Sequence, residues 1–168
     1  METTTTKSTA TLIHLSTLTQ YFIPFGNFIF PIVIWSTTKK DSDFNDHHGR
    51  QAINFQLSIL LYTLILAMIA IPTLLFTIFK NVPIVDLVDG EFLIDDFSIA
   101  KISGIVTLAI LAGVVWFFLK VAEFFLIINA SVKAANGEHY SYPLSINFIK
   151  PSVHTKEESP LETAGPQP

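Results

Sequence analysis

From Ala52 to Phe79 the chain runs for 28 residues without a charged side chain, and no other feature narrows the possible folds so far. A transmembrane helix needs about 20 apolar residues to cross a hydrocarbon core of roughly 30 Å. A second uncharged run covers Ile102 to Leu119, and apolar character resumes after Lys120 as far as about Ala135, with Glu123 inside it. Half of the 168 residues are hydrophobic and 14% are charged, against about 25% in an average soluble domain. A soluble globule of this size leaves too much surface exposed to hide 15 phenylalanines. The implied fold class is all-α: an integral membrane protein with two long antiparallel transmembrane helices.

What flanks these runs predicts where they start and stop. Asp46, His47 and His48 form the mouth of the first helix, with Asp46 as its N-cap and the helix running from about His47. Pro72 predicts a kink near the far end. Asn136-Gly137 is a stop for the second helix, because both residues tolerate the left-handed conformation of a C-terminal cap. Upstream, residues 1–10 are polar and threonine-rich and are expected to be disordered. Residues 11–35 are apolar but broken at Pro24, Gly26, Asn27 and Pro31. Two apolar pieces of about half a crossing each predict a proline-broken helical hairpin that dips into the membrane and returns, with a single tilted crossing as the other option. One helical membrane domain therefore covers 11–149, with an acidic outer loop at 81–100 and a disordered tail at 150–168.

The positive-inside rule places both tails in the cytoplasm of a multi-pass cell-membrane protein: Lys7, Lys39, Lys40, Arg50, Lys133, Lys150 and Lys156 fall on one side, Lys80 and Lys101 on the other. A net charge of −4 argues against nucleic acid as a partner. The chain has no cysteine, so thiol chemistry is excluded. His47 and His48 are adjacent, and adjacent helical residues point about 100° apart, whereas zinc-binding helices space histidines at i and i+4. The expectation is capping and interfacial hydrogen bonding, with no metal, no cofactor and no enzymatic activity. The acidic loop likewise lacks the alternating spacing of a calcium loop.

Polar residues inside the spans are the candidate functional set. Gln51, Asn54 and Ser58 draw one stripe down the first turns of the first span and should face other helices rather than lipid. Lys120 and Glu123 are i,i+3 charges inside the second span, costly enough there to require partners. With Arg50 level with about Ala130, Glu123 comes level with Gln56 and Ser58, and Asn129 with Gln51. Arg50, Gln51, Asn54, Gln56, Ser58, Lys120, Glu123 and Asn129 are thus expected to form one polar intramembrane cluster. Two functions fit: a non-enzymatic subunit or accessory of a membrane complex that associates with itself or another membrane protein, and a small channel or carrier element with a polar path.

Several short motifs carry a family resemblance. They are His14-Leu15-Ser16, Ile23-Pro24-Phe25-Gly26-Asn27, Pro31-Ile32-Val33-Ile34-Trp35, His48-Gly49-Arg50-Gln51-Ala52-Ile53-Asn54-Phe55-Gln56, Ala134-Ala135-Asn136-Gly137-Glu138 and Tyr142-Pro143-Leu144. In these the chain resembles a family of small bacterial membrane proteins of unknown function, grouped with the channel subunit of the chloroplast inner-envelope import translocon (a Tic-twenty-like family). The resemblance spans about His14 to Ile149 and implies a related membrane fold more than a shared task.

Overall fold

The computed structural model describes residues 2–81 and 99–151. The described residues are helical: α1 (Thr4–Ser16), a 3-10 helix (Thr17–Tyr21), α2 (Gly26–Thr38), α3 (Asp43–Asn81) and α4 (Ile99–Asn136), with no strand among them. A non-helical strap, 138–149, follows α4. Most of the acidic loop and nearly all of the tail lie outside the described residues.

Two helices, over Asp43–Thr77 and Val106–Asn136, are long and apolar enough to cross a membrane. Only 6% of the most apolar stretch of the first and 11% of that of the second are buried, so both stretches are almost wholly uncovered within this chain. The uncharged run 52–79 rises about 42 Å, which exceeds the hydrocarbon thickness and accommodates tilt. Pro72 lies within α3 without ending it, and the Thr73 hydroxyl donates to the Ile69 carbonyl one turn back (2.6 Å).

Packing is concentrated at one end. Phe55 and Ile59 of α3 meet Ile127 and Ala130 of α4, and Phe44 meets Ala134 and Ala10. Early α3 thus faces late α4, so the two helices run in opposite directions where they touch. α1 packs against both. Its close approach to α4 is made over Ala10, Ala134 and the buried Ser131, small residues of the kind that let helix backbones come together.

Two expectations are corrected here. The leader is not disordered through residue 10: Thr3 caps α1 by accepting from the Thr6 amide (3.2 Å), and Lys7 donates to the Asn136 carbonyl at the end of α4 (3.4 Å). A threonine-rich stretch has weak helix propensity, and contact with α4 overrides it. The cap of α3 is Ser42, not Asp46. The Ser42 hydroxyl accepts from the Asn45 amide (3.3 Å), so the helix starts a turn earlier and Asp46 is free for other partners.

The stop at Gly137 follows the expected chemistry. With φ at 81°, Gly137 donates to the Ala134 carbonyl (2.9 Å) and Glu138 to the Lys133 carbonyl (3.0 Å), the paired bonds of a Schellman cap. The break before α2 is centred on Phe25, which takes φ 60°. At Gly49 a Cβ would lie 2.1 Å from the Trp35 ring, so only glycine admits α2 that close to α3.

Candidate functional site

The most buried polar group lies where α1, α3 and the strap converge. His14 and His48 are fully buried, and His14 Nε2 lies 2.8 Å from His48 Nδ1. The Tyr142 hydroxyl lies 2.9 Å from His14 Nδ1, and its ring stacks on Phe55 at 4.1 Å with planes 7° apart. A neutral imidazole carries one N–H. A Tyr142 hydroxyl donating to Nδ1 therefore makes His14 Nε2 the donor to His48. Burial, then the His48 and His47 rings, hold the His14 imidazole well below its usual range. Burial, then Tyr140 and Glu123, push the Tyr142 hydroxyl well above its own. Both groups are thereby kept uncharged near neutral pH. His139 completes the group, its ring parallel to that of His48 within 5° and 4.7 Å from that of His47.

The predicted polar cluster does not form as one unit. Glu123, fully buried, accepts from Lys120 Nζ (2.8 Å) and from Gln20 Nε2 (2.8 Å) of the 3-10 helix. Gln56, Ser58 and Arg50 are not its partners. Gln56 accepts from Asn27 (2.7 Å) of α2, and Arg50 pairs with Asp46, which also accepts from Trp35 Nε1 (3.0 Å). Asn129 donates to the Tyr140 hydroxyl (3.4 Å) rather than to Gln51. The cause is steric: α2 and the strap occupy the face of α3 that the register had assigned to α4.

The stripe down α3 instead binds the strap's backbone. His47 Nε2 lies 3.1 Å from the Tyr140 carbonyl, and the Tyr142 amide donates to Gln51 Oε1 (3.3 Å). The Asn54 carboxamide accepts from the Ile149 amide (2.8 Å) and donates to the Ile149 carbonyl (3.1 Å). The Ile146 amide donates to Ser58 Oγ (2.8 Å), and the Tyr62 hydroxyl donates to the Leu144 carbonyl (2.7 Å). A non-helical segment beside apolar helices must satisfy its peptide groups somehow, and these five side chains do so. His47 and His48 diverge as expected, one to the strap and one to His14. Among the described residues no group of three or more histidine or acidic side chains is placed to hold a metal ion.

Sequence reasoning missed Gln20, Asn27, Trp35, His139 and Tyr142, and did not connect His14 with His48. A usable signal was there, since four of the five histidines, His14, His47, His48 and His139, sit at or near helix ends that an antiparallel register brings together.

Comparison with known families gives a match over most of the chain. Residues 5–149 fit the model of the magnetosome magnetite crystal formation protein family. No curated protein and no solved structure matches. The family match overturns the resemblance to the chloroplast translocon subunit. The motifs read as translocon-like, from His14 to Leu144, all lie inside the matched range. Here they serve the packed end: His14, His48 and Tyr142 in the buried hydrogen-bonded group, Gly49 under Trp35, Asn54 against Ile149, and Gly137 at the cap.

Proposed function

The chain belongs to the magnetosome magnetite crystal formation protein family, and from that premise we propose that it is a non-enzymatic integral protein of the magnetosome membrane, working as an assembling component of a membrane complex. The observation that carries this reading is the division of its two long helices. Among the described residues, the buried side chains of the two long helices are confined to Phe44–Ile59 of α3 and Glu123–Ala134 of α4, in a polar and aromatic knot. Over the rest of the spans, large residues such as Met68, Phe76, Trp116 and Phe118 stand exposed. Lipid and neighbouring membrane proteins are the surroundings that such a surface fits. The buried polar side chains of the knot are engaged mainly with one another and with the strap, which suits a rigid anchor.

In the topology we favour, the basic mouth and both tails face the cytoplasm. The connection holding Asp86, Asp89, Glu91, Asp95 and Asp96 then faces the magnetosome lumen. Reporter fusions at Asp89 and at the C-terminus test this and are expected to sit on opposite sides of the membrane. Removing the gene and restoring it, with magnetite crystal size measured by electron microscopy and neighbours identified by cross-linking in native membranes, tests the function. Unchanged crystals, or a chain recovered only as an isolated monomer, count against the proposal.

A further inference from the structure

A cavity of about 270 Å³ opens beside the mouth of α3, lined by Trp35, Lys39, Lys40, Asp46, Arg50 and Lys150, with Ile149 as its remaining apolar wall. We propose that it binds a net-negative phosphate group, as an anionic phospholipid headgroup or as free phosphate.

The charge balance of the cavity carries the argument. Asp46 is the sole acid in the lining, and it is matched by Arg50 and by the Trp35 indole N–H. Lys39, Lys40 and Lys150 form no ion pair among the described residues, so three ammonium groups surround one cavity with no carboxylate left for them. Lys39 is held in place by its position over the Trp35 ring, 4.8 Å from the centroid. Three lysines that line one cavity and have no ion-pair partner among the described residues repel one another, and an anion that enters relieves the repulsion.

The location identifies the kind of anion. On the outer face of α2, Ile29, Phe30, Ile32 and Val33 are exposed and apolar, and the helix then turns polar at Ser36 and Thr37, with Lys40 just beyond its end. On the reading that these spans enter a bilayer, the cavity lies at headgroup level on the basic side, where anionic lipids attract lysine and arginine. Trp35 and Ile149 supply an apolar wall for the glycerol end of such a lipid.

The test uses full-length Trp116→Phe protein in detergent, in which Trp35 is the sole tryptophan and reports on the cavity by fluorescence. It is titrated with short-chain phosphatidylglycerol, with matched phosphatidylcholine, and with inorganic phosphate. A saturable change is expected with phosphatidylglycerol, at least about tenfold weaker with phosphatidylcholine. Lys39→Ala and Lys150→Ala should each weaken binding about fivefold, the equivalent of roughly 1 kcal/mol per lysine. Lys80→Ala removes the same charge at the far end of α3 and should leave binding unchanged. Inorganic phosphate binding as tightly as the lipid would support the anion site and assign it to free phosphate, whether or not the membrane reading holds. Equal binding of both lipids with no response to phosphate, or a loss with Lys80→Ala equal to that with Lys39→Ala, overturns the proposal.

Discussion

Removing Lys120 should damage this protein more than removing the carboxylate it pairs with. Glu123 is fully buried, whereas the Lys120 side chain keeps about a quarter of its surface exposed. In Lys120→Met the carboxylate stays in place with Gln20 Nε2 as its remaining donor, and an uncompensated buried charge costs about 3–5 kcal/mol. In Glu123→Ala the ammonium can turn toward water or headgroups. What is lost is two hydrogen bonds, each worth about 1.5–3 kcal/mol when a charged group takes part, less what the freed lysine recovers, or about 3 kcal/mol in all. The double variant Glu123→Gln with Lys120→Met removes both charges, keeps the volume and retains an acceptor for Gln20. It should fall about 1–2 kcal/mol below the parent, as buried pairs replaced by neutral groups of similar size often do. Unfolding of purified protein in mixed micelles, followed by circular dichroism, gives the order. A Lys120→Met protein no less stable than Glu123→Ala, or a double variant as damaged as the two singles combined, would refute this account of the pair.

Acidification should destabilise the knot through His14. Its folded pKa is depressed, so below about pH 6.5 the unfolded chain binds a proton that the folded chain refuses, and stability falls by up to about 1.4 kcal/mol per pH unit. His14→Gln should reduce that dependence in pH-resolved melting curves. Gly49→Ala must displace Trp35, whose ring carbons a Cβ would meet at 2.1 and 2.3 Å. A loss of about 1–3 kcal/mol, read as a lowered melting temperature, is expected, and an unchanged one counts against the close approach of α2. Asn54→Leu leaves the Ile149 amide and carbonyl without their partner, a cost of about 2–4 kcal/mol. It should appear as faster amide exchange and easier proteolysis at the end of the strap.

The two long helices could be read from the chain because their signal is one-dimensional: an unbroken apolar run, which Ala52–Phe79 supplies. Gly137 was legible for a similar reason, since its role rests on one residue's conformational freedom. The start of α3 was not. Ser42 and Asp46 are equally good caps, and in the folded chain Asp46 is taken by Arg50 and by the distant Trp35. Periodicity placed Gln51, Asn54 and Ser58 on one face, but it carries no information about what covers that face. The partner is a segment some 90 residues later whose own sequence suggests only a stretch resting near headgroups. The same blindness misplaced Glu123, whose register against α3 was reasonable until α2 and the strap took the space.

The strap has a consequence for how changes in the gene translate into changes in the protein. A helix holds itself together through bonds that do not depend on side-chain identity, so its shape survives most substitutions along its length. Residues 140–149 have no such independence, because their peptide groups are bound by His47, Gln51, Asn54, Ser58 and Tyr62. The shape of one segment is therefore specified by the side chains of another. Exposed strap positions such as Ser141, Asn147 and Phe148 can vary freely without altering its path, while a single change on α3, far away in the chain, can release it.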